Sequence, residues 1–188
     1  MPGRTAKEAV ENFAGFMNET LSCLTNRRLS AYQKADNTYV LLYKEAVPLR
    51  TDTGAPFYIQ VTQVCNAVPL EDGTFKARTR EYSYVFSESP GLDHHGLVSY
   101  HWHPNDFNLR DPHLHLRITP QVGCPEIEHK LSKAHFPTSR VCLEDFVSLL
   151  LKYYDIKSPL HHSTHRSILK KNKEAFSKNA TWTVNPLP

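Results

Sequence analysis

The sequence lacks the features that mark membrane-spanning and secreted proteins. No stretch of its 188 residues approaches the run of about 18 apolar residues that a membrane-spanning helix needs. Acidic residues interrupt the apolar ones near the amino terminus, so that segment does not have the pattern of a signal peptide. No Cys-x-x-Cys pair occurs, because the four cysteines are far apart: Cys23, Cys65, Cys124 and Cys142. We therefore expect a cytoplasmic protein with reduced thiols and no membrane partner.

The composition is that of an ordinary globular protein. Apolar residues make up 40% of the chain and charged residues 22%. The sequence shows no repeats or low-complexity runs, and its length fits a single domain over residues 1–188. The formal net charge of +3 is compatible with a polyanionic partner but does not require one.

The order of periodic segments predicts the fold class. Residues 1–28 have helical spacing after a capping box formed by Thr5 and Glu8, which predicts an amino-terminal helix. Residues 38–119 are rich in β-branched and aromatic side chains with hairpin signals between them, which predicts an antiparallel sheet. Residues 142–178 predict an amphipathic helix followed by a basic helical extension. Together these segments predict an α+β fold, a mostly antiparallel β-sheet covered by helices.

Two His-x-His pairs stand close together in the segment "YHWHPNDFNLRDPHLHLR". We expect strands 97–103 and 113–119 to pair antiparallel around the polar loop between them. The simplest register forms three polar pairs: His103 with His113, His101 with His115, and Ser99 with Arg117. Because side chains alternate along a strand, all six would lie on one face and apolar residues on the other. The segment thus predicts a half-solvated sheet with its imidazoles on the polar face.

One interpretation of this cluster is metal-free acid–base cleavage of RNA. The reaction needs one group that takes a proton from the 2′-hydroxyl and another that protonates the leaving oxygen, and two imidazoles can do both. A cation must also stabilise the charge that develops on the phosphoryl oxygens. Arg117 suits that role, and His135 and Arg140 are further candidates if their loop packs beside the hairpin.

Two other interpretations remain open. The cluster could be a metal site, in which His101, His103, His113 and His115 bind zinc or another transition metal and Asp106 or Asp111 adds an oxygen. Alternatively, the histidines fill a polar sheet face in a non-catalytic module that binds nucleic acid or a protein.

Basic residues outside the cluster are candidates for RNA binding. They occur on a strand that also carries Tyr82 and Tyr84, in the loop before the amphipathic helix, and in the basic segment near the carboxyl end: Arg78, Arg80, Arg140, Arg166, Lys170 and Lys171. Aromatic and basic side chains interleaved on one sheet face can stack bases and hold phosphates. The alternatives are that the tyrosines point into the core and that the basic segment is an ordinary solvated helix face.

The segments "REYSYVF", "VSYHWHPN" and "DPHLHLRI", followed by an amphipathic helix, resemble the TumE-type toxin family of bacterial toxin–antitoxin systems. The resemblance covers about residues 57–155, and the matching positions are Tyr82, Tyr84, Tyr100, Pro112, His113 and His115. Ser99 and His101 stand where the family pattern has arginine and aspartate. The resemblance implies an endoribonuclease, a hydrolase that acts on RNA and is neutralised by an antitoxin protein. With the acid–base interpretation, it makes His113 and His115 the acid–base pair, assisted by His101 or His103, without a cofactor.

Overall fold

The computed structural model describes residues 2–52, 54, 56–91, 96–105, 110–116 and 134–179. Within these residues there are nine strands and three helices. In chain order they are β1 (Pro2–Gly3), α1 (Ala6–Leu21), β2 (Ser30–Ala35), β3 (Thr38–Leu42), β4 (Val47–Leu49), β5 (Phe57–Pro69), β6 (Phe75–Ser87), β7 (Val98–Trp102), β8 (His113–Leu116), β9 (Phe136–Pro137), α2 (Leu143–Tyr153) and α3 (His162–Asn179).

The described strands form one antiparallel sheet in the order β2-β3-β5-β6-β7-β8-β9, with β1 beside β6 and β4 beside β5. Its longest hairpin joins β5 to β6 through a turn in which Gly73 has a φ of +78°, a conformation that glycine adopts without strain. The sheet confirms the predicted α+β class. It extends beyond the predicted range of 38–119, because β1, β2 and β9 also belong to it.

The amino-terminal helix begins where the capping box predicts. The Oγ1 of Thr5 accepts a hydrogen bond from the Glu8 N–H at 3.1 Å, which satisfies one of the free donors at the helix start. The helix ends at Leu21 and is therefore shorter than the predicted range of 1–28. The two carboxy-terminal helices, α2 and α3, lie where residues 142–178 predict them.

The helices cover one face of the sheet. Helix α1 packs on β5 and β6 and also contacts α2 and α3. Phe146 of α2 is fully buried, with its ring 5.7 Å from that of Tyr84 and 6.0 Å from that of Tyr100. The Tyr84 hydroxyl donates a hydrogen bond to Gln63 Oε1 at 2.7 Å within this core. Tyr84 and its neighbour Tyr82 therefore belong to the core and are not available to stack on bases.

A β-bulge separates the arginines of β6 from these tyrosines. Val64 pairs with Glu81 and Cys65 pairs with Thr79, so Arg80 is an extra residue without an opposite partner. An extra residue reverses the alternation of side chains, and Arg78 consequently lies on the face opposite the tyrosines. The interpretation with aromatic and basic side chains interleaved on one face is therefore wrong. The alternative, that the tyrosines point into the core, is confirmed, and both arginines are exposed.

None of the described helices combines the length and the apolar character needed to cross a bilayer.

Candidate functional site

The two His-x-His segments are antiparallel neighbours, but in a different register from the predicted one. His101 faces His113 and Ser99 faces His115, which shifts the pairing by two residues. A shift of two leaves every side chain on its predicted face, whereas a shift of one would have reversed both faces. Alternation alone therefore determines the face of each histidine but not its partner. Arg117, predicted to face Ser99, lies outside the described residues, as does Asp106.

The imidazoles gather on one face as predicted. The ring of His101 lies 5.7 Å from that of His113 and 5.2 Å from that of His115, and the rings of His113 and His115 are 5.1 Å apart. The face is not half-solvated along β8, however. His113 and His115 are each only 4% exposed, and Ser99 is fully buried. The prediction of an open polar face is thus wrong at these positions.

Strand β9 adds His135 to the group. It pairs with β8 through His113–Pro137 and Leu114–Phe136, and His135 directly precedes it. The His135 ring lies 4.4 Å from the His115 ring and 5.0 Å from the His113 ring, while the residue itself remains exposed. The segment that carries His135 therefore packs beside the hairpin, as its candidacy required. We call the five residues the histidine cluster: His101, His103, His113, His115 and His135.

Three members of the cluster have the geometry of a metal site. His113, His115 and His135 each offer a ring nitrogen, and these nitrogens lie within 4.8 Å of one another. The His113 Nδ1 lies 2.9 Å from the backbone oxygen of Asp111. Because a carbonyl oxygen only accepts hydrogen bonds, Nδ1 carries the proton in this contact and Nε2 keeps a lone pair for a ligand. This set of three possible metal ligands differs from the predicted set of four histidines. It includes His135 and omits His101 and His103.

The remaining two histidines lie beside these three. The His103 ring is 5.7 Å from that of His101, and its Nδ1 lies 4.0 Å from Glu81 Oε2 on β6. Glu81 Oε1 also accepts a hydrogen bond from Asn105 Nδ2 at 3.3 Å. Sequence reasoning missed Glu81, because nothing in the chain shows that β6 places it opposite the end of β7. The cluster thus has a carboxylate at its partly exposed side.

Arg140 lies on the other face of the sheet. Its guanidinium stacks 3.3 Å above the Trp102 ring, and Trp102 pairs with Tyr82 on the face that the helices cover. Burial lowers the pKa of the Arg140 guanidinium, but the group keeps its charge at neutral pH. This position makes Arg140 a poor candidate for stabilising charge at the histidine cluster.

The cationic residues predicted to bind RNA are not brought together. Arg78 and Arg80 are exposed on β6, whereas Arg166, Lys170 and Lys171 are exposed on α3. Helix α3 contacts α1 and α2, the helices on the sheet face opposite the histidines. Any role of the α3 cations is therefore separate from the histidine cluster.

Comparison with family models, curated proteins and solved structures gives no match to this chain. The resemblance to TumE-type toxins therefore stays a prediction.

Proposed function

We propose that the chain is a metal-dependent hydrolase whose centre is a divalent transition metal, most simply zinc, held by His113, His115 and His135. The observation that carries this proposal is the convergence of their three ring nitrogens within 4.8 Å. Zinc–nitrogen bonds of about 2.0–2.1 Å in a tetrahedral site require ligand nitrogens roughly 3.3 Å apart. Side-chain movements of about 1.5 Å in total would close the group around the ion.

The surroundings of these imidazoles support a bound metal. His113 and His115 are each 4% exposed, so they would shield an ion from solvent on their side. A metal ion binds imidazole through a nitrogen lone pair, and the Asp111 carbonyl orients His113 for this. Exposed His135 keeps one side of the centre accessible from solvent.

Three protein ligands leave a fourth coordination position, which is the arrangement of catalytic rather than structural zinc sites. Held by these three imidazoles, zinc would supply a water-derived nucleophile at neutral pH. For a phosphodiester, the attacking oxygen would bond to phosphorus as the bond to the leaving alkoxide breaks, and the proton released by the attacking water would pass through solvent to that alkoxide. The mildly basic chain and its resemblance to RNA-cleaving toxins make RNA the first substrate to test.

Metal-free cleavage of RNA is the second candidate, and the contact between His103 and Glu81 favours it. His103 is partly exposed, and a carboxylate oxygen of Glu81 lies 4.0 Å from its Nδ1, which brings an acidic group and an imidazole together as acid–base catalysis requires. In this mechanism the 2′-hydroxyl of RNA is the nucleophile. An antitoxin protein would be the partner that the family resemblance implies.

One set of measurements separates the candidates. Purified protein is assayed for metal content and then incubated with total RNA, with and without EDTA and with added zinc. The metal-dependent proposal expects stoichiometric metal and cleavage that EDTA abolishes and zinc restores. Cleavage that resists EDTA and disappears in His103→Ala would favour the second candidate.

Two variants make the assignment specific. His135→Ala should lose both metal and activity, whereas His162→Ala, an exposed histidine on α3, should keep both. Failure to bind zinc at micromolar concentration would overturn the metal centre. Zinc binding without RNA cleavage would overturn only the choice of substrate, and the absence of both activities would favour a binding module.

A further inference from the structure

One side of α3 presents a stripe of cations to solvent. At about 100° per residue, the side chains of Arg166, Lys170, Lys173 and Ser177 fall on one side of the helix, and all four are exposed. Successive members of the stripe are three or four residues apart, a rise of roughly 5–6 Å along the axis. Lys178 follows Ser177 about 100° further round the helix, so it adds a cation beside the carboxyl end of the stripe, and the cations together extend for about 18 Å along the axis. We call these four cations, Arg166, Lys170, Lys173 and Lys178, the basic face of α3.

The buried side of the helix fixes the direction in which this face points. Leu169 is 8% exposed and Asn172 is fully buried. Asn172 Nδ2 donates a hydrogen bond to Thr20 Oγ1 at 3.1 Å, and the Thr20 hydroxyl donates to Glu144 Oε1 at 2.8 Å. This buried polar chain joins all three helices, so a rotation of α3 that hid its cations would leave polar groups unsatisfied.

Acidic residues neutralise only part of the charge. Lys173 forms an ion pair with Asp145 at 2.5 Å, and Lys171, beside the stripe, forms one with Glu19 at 2.8 Å. Within the part of the chain that the structure describes, the ion pairs involve neither Arg166, Lys170 nor Lys178.

A shallow depression lies along the same side of the helix. It has a volume of about 510 Å³ and is lined by Lys170, Lys173, Glu174, Ser177 and Lys178. At the end of the helix, Lys76 reaches from β6 to the Asn179 carbonyl oxygen at 3.2 Å, which places a further ammonium group there. The surface therefore offers hydrogen-bond donors and positive charge in a row, and Glu174 is the one acid among the described residues that line the depression.

We propose that the basic face of α3 binds the phosphate backbone of a nucleic acid, independently of the histidine cluster. The spacing of the cations allows successive phosphates to be contacted, and such contacts hold a nucleic acid without reading its sequence. An anionic membrane fits less well, because a helix that lies on a bilayer exposes an apolar side next to its cations. The apolar side of α3 is instead turned into the protein, where Ile168 and Leu169 pack against the core.

The test is fluorescence anisotropy with a labelled single-stranded RNA of about 20 nucleotides, long enough to span the stripe. EDTA is present throughout, so binding is measured without any metal-dependent cleavage. Three cations outside the ion pairs predict that log K falls with log salt with a slope of about −2 for single strands. Affinity should then decrease roughly 16-fold between about 50 and 200 mM salt.

A double variant, Lys170→Glu with Lys178→Glu, should weaken binding at least about tenfold and flatten the salt dependence. The matched control, Lys7→Glu with Lys34→Glu, makes the same change of charge at exposed positions of α1 and β2 and should bind nearly as wild type. Thermal melts of both variants establish that they are folded.

Equal weakening in the variant and its control would overturn the proposal, since it would reduce the effect to overall charge. Absence of binding at about 50 mM salt would overturn it too. A parallel titration with phosphatidylserine vesicles provides a further outcome. Vesicle binding that depends on Lys170 and Lys178, without RNA binding, would reassign the surface to membranes. None of these outcomes depends on whether His113, His115 and His135 bind a metal.

Discussion

Replacing His135 with alanine tests the proposed zinc centre with little disturbance of the fold. His113 and His115 are buried, so truncating either would leave a cavity in addition to removing a ligand. His135 is exposed and lies just outside the short strand β9, so its replacement removes a ligand nitrogen and little packing. A change in zinc binding can therefore be attributed to the missing ligand.

The expected effect can be estimated from the number of ligands. Structural zinc sites with four ligands bind with about 10–16 kcal/mol, which is roughly 2.5–4 kcal/mol for each ligand. Loss of one ligand should weaken zinc binding by about 100- to 1,000-fold. For wild type, zinc at about 100 times Kd stabilises the folded state by about 2.7 kcal/mol. In a chain of this size that corresponds to a rise in Tm of roughly 5–10 °C.

Differential scanning fluorimetry of EDTA-stripped protein with added zinc measures this shift. Wild type should show the full rise, whereas His135→Ala at the same zinc concentration should show a rise of about 1 °C or less, because its Kd is then comparable to or above the zinc concentration. His162→Ala, which removes an exposed histidine from α3, should shift as wild type does. An undiminished rise in His135→Ala would refute the assignment of His135 as a ligand, and no rise in wild type would refute the site.

Three further predictions concern the core and its titratable groups. Burial raises the pKa of Cys23 to about 11 and that of Cys65 to about 12, so neither thiol should react with iodoacetamide in native protein near pH 8. Detection of either cysteine in alkylated form by peptide mapping would contradict this. Burial lowers the pKa of His165 below its ordinary 6.5, so as the pH falls the unfolded chain binds a proton at this imidazole before the folded chain does. The free energy of unfolding should therefore decrease as the pH drops below 6.5. Urea titrations from about pH 7.5 to 5 should show a smaller decrease in His165→Gln than in wild type. Phe146→Ala should reduce the free energy of unfolding by about 3–5 kcal/mol, because Phe146 is fully buried. Tyr153→Ala, at a position 66% exposed, should change it by less than about 0.5 kcal/mol. Equal effects of the two substitutions would count against the packing described for Phe146.

Local patterns in the sequence predict the elements of this fold well. The Thr5 and Glu8 capping box marks the start of α1, and Asp72 with Gly73 marks the β5–β6 turn. Both signals act over four residues or fewer, through one hydrogen bond or one backbone conformation. They need no knowledge of the rest of the molecule, which is why they can be read directly.

Errors in the prediction arise where one strand had to be placed against another. Simple alternation along β6 fails at Arg80, because the bulge reverses it there. The pairing of His101 was predicted two residues away from its true partner, because registers two residues apart bury the same side chains. Neither error could be corrected from the pattern within a single strand.

The sequence by itself determined the α+β class, the helices that precede and follow the main run of strands along the chain, and the placement of four imidazoles on one face of the sheet. Each of these features depends on periodicity within a short segment. Only the tertiary structure decided that β9 lies against β8, that His135 joins His113 and His115, and that Glu81 lies beside His103. These contacts join residues far apart in the chain, and their formation depends on how the whole sheet buries its apolar face rather than on any local preference.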